Sequence, residues 1–304
     1  MSQASVTTVD GPVIDRGISP DSVAQAWSQA RAAGDRSSAS VEVVHDIADM
    51  RAIGAVLDSI WSAESGLPEV EPRLMVAFAE AGGYVAGIHV DGDLVGAAVG
   101  FPRHPTGLHS HIAGVLPAHA GRGVGTALKL HQRAWCLERG IGLITWTFDP
   151  LVARNAHLNL TRLGVIVPHY LVDLYGPMND ALNSDDPSDR LLVSWDLVTP
   201  RTGEPPPGPA VTVLVDRSGE PVPITEPVPP DTARILVAVP GDIEALRRTD
   251  PPLARRWRLA VREALHPRVE AGWVIEGFRS DHHYVLTGPA SSEPCRPVSI
   301  RTNY

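Results

Sequence analysis

The stretch that most constrains the fold is residues 109–140, where a strand pattern gives way to a glycine loop and then to a helix pattern. Residues 109–115 read as an alternating strand, and the loop that follows contains Gly121, Gly123 and Gly125. From Val124 apolar residues recur at roughly helical spacing until Gly140, a residue type typical of a helix C-terminus. The sequence therefore predicts a strand, a glycine loop and a helix in direct succession.

Such a junction favours an anion as ligand. Three glycines in five residues let the backbone approach a ligand closely, and the helix start adds N–H groups and a positive dipole end. A Walker loop is excluded because neither its glycine spacing nor its Lys-Ser/Thr pair is present. A dinucleotide fingerprint fits poorly, because its third glycine is misplaced and Pro117 stands between strand and loop. A diphosphate site remains the best interpretation, with an ordinary glycine-rich turn as the alternative.

The segment resembles the coenzyme A pyrophosphate loop of the GCN5-related N-acetyltransferase (GNAT) superfamily, whose motif is Q/R-x-x-G-x-G/A after a strand ending in V-x-P. Residues 115–117 match the strand end, Gly123 and Gly125 match the glycines, and Ala120 replaces the leading Gln/Arg. The resemblance implies that backbone groups bind the coenzyme. The residues it assigns are Ala113, Gly114 and Val115 for the pantetheine and acyl carbonyl, Gly121, Arg122, Gly123, Val124, Gly125 and Thr126 for the diphosphate, and Asn155 near the pantetheine.

The element order of residues 41–198 agrees with this resemblance. A strand, two helices and a hairpin turning at Asp91-Gly92 precede the loop strand, and the pattern after its helix predicts strand, helix, strand, strand. We therefore expect an α/β (α+β) fold of the GNAT type, with a mixed, mostly antiparallel sheet flanked by helices. Residues 1–40 are expected to be a mobile segment with one short docking helix, over residues 20–34.

A proline-rich linker is predicted at residues 199–230, where 10 of the 28 prolines lie between residues 200 and 230, with one strand at 211–215. Residues 231–304 then predict a small β-α-β-β unit, similar to the tail of a group of predicted acetyltransferases. We expect this unit to pack on the first domain or on a second subunit of a homodimer, and residues 41–198 to fold without it. Four of its arginines, Arg255, Arg256, Arg258 and Arg262, are expected on a solvated helix face.

Acetyl transfer to an amine needs a base, and His109 on the loop strand is the candidate that the family resemblance indicates. Strand alternation places His111 and Ala113 on the same face, although a surface or core imidazole is the alternative for either histidine. Where many family members carry an acid tyrosine, this chain has Leu160. The candidates to replace that tyrosine are Tyr170 and Tyr175, and those for binding the substrate amine are Glu64 and Glu69, unless they only line a solvated loop.

Composition limits the kinds of partner that this chain is expected to bind. The net charge of −9 and the pI near 5.7 argue against nucleic acid and suit a small or cationic partner. Cys136 and Cys295 form neither a CxxC pair nor a disulfide framework, so no structural zinc or other metal is implied. No apolar run is long enough to span a bilayer and no signal sequence is visible, so we expect a cytoplasmic protein.

The function that these observations favour is acyl-CoA-dependent acyl transfer, with acetyl-CoA as donor and a small amine as acceptor. Direct attack is expected to pass through an oxyanion held by strand N–H groups near residues 113–115. A non-catalytic acyl-CoA-binding or regulatory module with the same fold is the main alternative, and Leu160 favours it. A nucleotide-binding oxidoreductase that uses Asp149 on the ribose is a third, which the antiparallel hairpin before the loop opposes.

Overall fold

The computed structural model describes residues 17–61, 68–176, 186–229 and 231–289. Its first sheet has seven strands, in the order β1-β2-β3-β4-β5-β7-β6. They are β1 (Ala39–Val43), β2 (Tyr84–Val90), β3 (Asp93–Arg103), β4 (Gly107–Val115), β5 (Leu143–Phe148), β6 (Ile166–Leu171) and β7 (Arg190–Asp196). Neighbouring strands are antiparallel except for β4 and β5. The prediction of a mixed, mostly antiparallel sheet is confirmed.

Helices cover both faces of this sheet. They are α1 (Pro20–Ser37), α2 (Ile47–Trp61), α3 (Pro72–Glu80), α4 (Val124–Glu138) and α5 (Ala153–Ala156), which continues as a π-helical segment (His157–Leu163). Buried residues of α1 and α4 share one apolar core, and buried residues of α2 and α3 form a second core across the sheet. The predicted order of elements is confirmed, although apolar spacing alone gave no sign of the π-helical turn.

The docking helix near the N-terminus is confirmed and is one turn longer than predicted. Ser19 and Ser22 form a reciprocal capping box, with Pro20 at the first helical position. Ala26, Ala30 and Ala33 of α1 are buried in the core that α4 shares, and the Trp27 indole donates a hydrogen bond to Glu138 at the far end of α4. The segment that follows residue 19 is therefore packed onto the sheet domain.

The C-terminal sheet has five strands, in the order β11-β12-β10-β8-β9. They are β8 (Val211–Arg217), β9 (Glu220–Pro223), β10 (Arg234–Ala238), β11 (Val274–Phe278) and β12 (His283–Thr287), with α6 (Ile243–Thr249) and α7 (Pro251–Glu270) between β10 and β11. The strand expected at residues 211–215 is confirmed, and β9 was not predicted because Pro221 and Pro223 mark it as a non-strand. Proline is tolerated there because β9 is an edge strand.

The expectation that Arg258 lies on a solvated face of α7 is wrong. Its side chain is 1% exposed and donates hydrogen bonds to both carboxylate oxygens of Asp149 and to Asp186. Arg247 of α6 contacts the same two carboxylates. Arg262 is likewise engaged, because its guanidinium donates to both oxygens of the buried Asp189. Arg255 and Arg256 alone of the four keep the predicted exposed position.

Burial of these ions has a simple cause. The helix α7 lies against β6 and against the end of β5, so its inner face meets the buried carboxylates of Asp149 and Asp189. Burial would raise the pKa of Asp149, but the positive charges of Arg258 and Arg247 hold it well below its ordinary value. Further polar contacts join the two sheets, from the Tyr284 hydroxyl to the Pro150 carbonyl and from the Thr161 hydroxyl to the Phe278 carbonyl. The C-terminal unit was expected to pack either on the first domain or on a second subunit, and the structure shows it packed on the first domain.

Candidate active site

The candidate site is a cleft between β4 and β5. These parallel strands pair only at Leu108 with Ile144 and at His109 with Thr145, and beyond that point they diverge. The other edge of β4 stays paired with β3 as far as Val115, so only its β5 side opens. The backbone of residues 110–115 therefore faces the cleft along its open edge.

A β-bulge in β4 changes which side chains share a face. Ser110 pairs with Gly100 and Ile112 with Val99, which leaves His111 as the extra residue. His109 and His111 both lie against the Phe101 ring, with centroid distances of 5.1 and 5.9 Å, so the prediction that they share a face is confirmed.

The bulge also reverses the alternation beyond it. Ile112 packs on the core formed by α2 and α3, and a side chain on Gly114 would collide with Trp61 of α2. Ala113 therefore lies on the opposite face, and the prediction that it shares a face with the histidines is wrong. Gly114 has a packing reason that needs no ligand, whereas the backbone of residues 113–115 still borders the cleft.

His109 lies where the strands part, with its Nδ1 atom 3.2 Å from the Thr145 hydroxyl. Burial lowers its pKa to about 4, and the nearby charges of His111, Arg103 and Lys129 lower it further in the same direction. Burial also lowers the pKa of His111. His109 is thus a neutral imidazole near pH 7, which can accept a proton, in a positively charged part of a chain whose net charge is −9.

The glycine loop forms the far end of the cleft. Gly123 is the N-cap of α4 in a left-handed conformation (φ 87°), which a residue with a side chain rarely adopts. The first N–H groups of α4, from Val124, Gly125 and Thr126, have no partner within the helix and point out of its start. Gly125 is helical, and a methyl group there would meet only the Val115 side chain, at 3.9 Å. Glycine is therefore not required by the fold at position 125, and its bare backbone leaves room for a ligand.

The remaining coenzyme candidates lie on the two sides of the open end of the cleft. Gly121 (φ 74°) and Arg122 are exposed beside the loop that follows β4. Asn155 lies in α5, the short helix that follows β5, where its backbone N–H donates to the Val152 carbonyl.

The two tyrosine candidates differ in their surroundings. The Tyr170 hydroxyl is buried and donates to Asp189 at 2.7 Å, and β6 is separated from β4 by two other strands. The Tyr175 hydroxyl lies 3.0 Å from the Thr147 hydroxyl on β5, two residues from Thr145 and on the same face as His109. Of the two, Tyr175 has its hydroxyl on a wall of the cleft. Leu160, in the position of the family's acid, is buried in the core.

The acceptor candidates are less well defined by the structure. Glu69 follows α2 in the chain and its backbone N–H donates to Asp58 near the end of that helix. Glu64 lies outside the described residues.

One polar residue of the site was missed in the sequence. Lys129 of α4 is buried, and its amine contacts Ser110 on β4 and the Trp146 ring on β5. Its neighbours Ala127 and Leu128 belong to the apolar stripe of α4, so the helical spacing does not mark Lys129 as a site residue. The signal that could have revealed it is composition, because it is the only lysine in the chain.

Residues 53–164 match the family model described as Acetyltransferase (GNAT) family. This range contains the cleft strands, the glycine loop and α4, and the chain therefore carries a GNAT acetyltransferase domain. The comparison with curated proteins found no match.

Three of the solved structures that resemble this chain are acetyltransferase structures from bacteria. The IAA acetyltransferase from Bacillus cereus is 14% identical, with coverage of 52% of this chain and 99% of that one and a TM-score of 0.41. The ribosomal-protein-S18-alanine N-acetyltransferase from Escherichia coli is 13% identical, with coverage of 54% and 96% and a TM-score of 0.44. The Salmonella typhimurium structure yncA, with its cofactor acetyl-CoA, is 17% identical, with coverage of 53% and 94% and a TM-score of 0.42.

The described ranges contain neither a helix that could span a membrane nor a cluster of metal ligands. Within the described ranges, no helix combines the length and the apolar character that crossing a membrane requires. In the same ranges, no three His, Cys, Asp or Glu side chains are grouped as metal ligands.

Proposed function

We propose that the protein is an acyl-CoA-dependent N-acyltransferase that moves an acetyl group from acetyl-CoA to a small amine. The observation that carries the proposal is the cleft itself, which begins where β4 and β5 part at His109 and ends at the uncapped helix start of α4. A ligand with a diphosphate at one end and a thioester at the other matches both ends of such a cleft. The GNAT match of residues 53–164 supports the same class of reaction.

The binding roles follow from the backbone. The N–H groups of residues 121–126 would hold the diphosphate, because helix-start N–H groups and the helix dipole both favour anions. The open edge of residues 113–115 would pair with the pantetheine, and Asn155 lies at the β5 side of the same arm. Arg122, exposed beside the loop, adds a positive charge near the phosphates. No metal is needed for this binding.

For the reaction, we assign His109 as the base, directly or through a water molecule. Its neutral imidazole takes a proton from the amine as the nitrogen attacks the thioester carbonyl. The carbonyl oxygen becomes an oxyanion, which strand N–H groups near residues 113–115 and the positive surroundings of His109 stabilise. His111, beside it on the same face, is the second candidate.

The acceptor is proposed to be a small amine that enters from the face where His109, α2 and α3 lie. Glu69 and Glu64 are the residues proposed to attract its positive charge before attack. The alternative function, binding of acyl-CoA without turnover, has one observation in its favour, because Leu160 fills the usual acid position with a buried apolar side chain. We further propose a cytoplasmic location, with a homodimer as an open alternative to a monomer.

The experiment that tests the function is thiol release from acetyl-CoA across a panel of small primary amines, with the double variant His109→Ala/His111→Ala beside the parent. We expect at least one amine to raise thiol release in the parent, and we expect the double variant to lose most of that rate. Full activity in the double variant would discard the assigned base. Coenzyme binding without turnover on any amine would establish the binding module instead.

A further inference from the structure

Lys129 is unusual in both composition and position. The chain has 26 basic residues of the Lys and Arg types, of which 25 are arginines and one is Lys129. Arginine is always charged and has a planar fork, whereas a lysine amine is compact and can release its proton when buried. The one lysine of this chain therefore supplies, at a buried position, a compact amine that can release its proton, which an arginine could not do there.

The amine of Lys129 lies at the apex of the cleft. Its Nζ atom donates to the Ser110 hydroxyl at 3.2 Å and to the Gln132 side-chain oxygen at 2.7 Å, and lies 3.9 Å from the centre of the Trp146 ring. Ser110 and Trp146 are the first residues of β4 and β5 after their last paired residues, His109 and Thr145. The amine thus lies between the two strands where they part, on the α4 side of the sheet.

The charge on this amine is poorly compensated. In the part of the chain that the structure describes, no carboxylate is paired with Lys129, and its side chain is 6% exposed. Burial lowers its pKa to about 7. The titratable groups that act on it or that it acts on are Cys136, farther along α4, and His109 across the sheet. Both protonation states are therefore accessible near neutral pH.

The position also agrees with the path of a bound coenzyme. Lys129 lies five residues after Val124, the first residue of α4, whose start receives the diphosphate in the proposed function. The end of β4 at Val115 lies beside the loop, and the strand runs back from there to Ser110 beside the Lys129 amine. An arm that pairs with this edge of β4 therefore passes from the loop toward Lys129 and ends near its amine.

We propose that Lys129 is the general acid of the transfer and protonates the sulfur of the leaving coenzyme A. This inference rests on the proposed function. When the tetrahedral intermediate collapses, the C–S bond breaks and its electron pair stays on sulfur, while the Lys129 ammonium gives a proton to that sulfur. The products are the amide, coenzyme A as free thiol and a neutral Lys129 amine. His109 holds the proton taken from the substrate amine, and exchange of both residues with water restores the starting state.

Because the chain has one lysine, the proposal can be tested at a single atom. Protein grown with lysine labelled with ¹³C at Cε gives one lysine signal by NMR, and it reports on Lys129 alone. We expect saturating coenzyme A to shift this signal, and desulfo-coenzyme A, which lacks the sulfur, to shift it at least threefold less. A signal that is unmoved by coenzyme A, or moved equally by both ligands, would overturn the proposal, provided that calorimetry shows binding.

Kinetics supply the second readout. Lys129→Met should lower kcat about 100-fold or more, the usual size of general-acid help, while the dissociation constant for coenzyme A changes less than fivefold. The parent rate should fall as pH rises through about 7, and Lys129→Met should lose that fall. Arg133→Met is the matched control, because Arg133 is also buried on α4 but binds the Leu197 carbonyl and Gln29 instead. Unchanged kcat in Lys129→Met would overturn the proposal, and absence of coenzyme binding in the parent would overturn the proposed function as well.

Discussion

Arg258 and Asp149 are 109 residues apart in the chain, and the guanidinium of the first donates to both carboxylate oxygens of the second, at 2.9 and 2.7 Å. Asp149 directly follows β5, the strand that forms one wall of the cleft. The C-terminal unit therefore holds the end of a cleft strand through a buried ion pair. This contact connects the stability of the tail with the shape of the candidate site.

Loss of the ion pair between Arg258 and Asp149 should strongly lower the stability of the fold. We predict that Arg258→Met lowers the free energy of unfolding by about 3–5 kcal/mol, because it leaves the buried Asp149 carboxylate with one fewer charged partner. Arg256→Met is the control on the same helix, since its ion pair with Glu220 is half exposed, and it should cost about 1 kcal/mol or less. Denaturation by urea measures both. Equal losses of unfolding free energy in the two variants would show that the buried ion pair contributes no more to stability than the exposed one.

Removal of residues 199–304 tests how far the two sheets share one core. The sequence predicts that residues 41–198 fold alone, but one continuous cluster contains buried residues from both sheets, among them Trp195, Trp257 and Tyr284. The truncated chain should therefore lack a cooperative thermal transition, or melt at least 10 °C lower, because buried carboxylates lose their arginines. Differential scanning calorimetry of the truncated chain and the parent measures the transition. A transition at the parent temperature would show that residues 41–198 are an independent domain.

The sequence predicted the order and spacing of elements well, because apolar periodicity and turn residues are local signals. Asp91 and Gly92 both adopt the left-handed conformation that their hairpin turn requires, as the Asp-Gly pair indicated. The glycine loop was found for the same reason. Its ligand stays a proposal, since a motif specifies a backbone shape and not an occupant.

The features that the sequence did not predict depend on contacts between residues that are far apart in the chain. Arg258 follows the spacing of an exposed face, and only the carboxylates of Asp149 and Asp186, far away in the chain, make its burial favourable. The bulge at His111 is set by pairing with β3, which a strand pattern does not reveal. Lys129 interrupts the apolar stripe of α4, and only its place between the cleft strands, beside Ser110 and Trp146, accounts for its burial.

For His109, we predict that replacement by alanine lowers kcat by about 10²–10⁴ while coenzyme binding is kept. His111→Ala is the control on the same face, and it should cost less because its ring lies farther from the parting point of β4 and β5. The kinetic measurement is kcat for the best amine, and calorimetry gives the affinity. Loss of coenzyme binding in His109→Ala would contradict the role of base.

The same residue predicts a pH profile. The neutral form of His109 is the active base, and because its pKa is lowered to about 4, that form prevails above about pH 5. The rate should therefore show no fall from pH 6.5 to 5 that can be assigned to a histidine, whereas an unperturbed histidine would give a fall centred near pH 6.5. A fall in rate centred near pH 6.5 that is present in the parent and absent in His109→Ala would show that the pKa of His109 is not lowered.

The two tyrosines should separate into a structural and a cleft residue. Tyr170→Phe removes a buried hydrogen bond to Asp189 and should cost about 1–2 kcal/mol of stability with kcat unchanged. Tyr175→Phe should leave stability unchanged and lower kcat less than tenfold, because its exposed hydroxyl contacts Thr147 at the cleft wall. Urea denaturation and the thiol-release assay measure the two effects. A larger loss of kcat in Tyr175→Phe than in His109→Ala would make Tyr175 the principal catalytic group.

Calorimetric titration of coenzyme A into the parent and the variant Gly125→Ala tests directly whether the glycine loop binds the diphosphate. A methyl group at Gly125 fits the folded chain without strain, so the variant should melt at or above the parent temperature. Gly54→Ala is the control, a helical glycine on α2 where an added methyl makes only ordinary contacts. We expect binding in the parent and in Gly54→Ala, and at least a tenfold loss of affinity in Gly125→Ala, because the methyl occupies the space for the diphosphate. Equal affinity in all three proteins would place the coenzyme elsewhere and contradict its binding at the glycine loop.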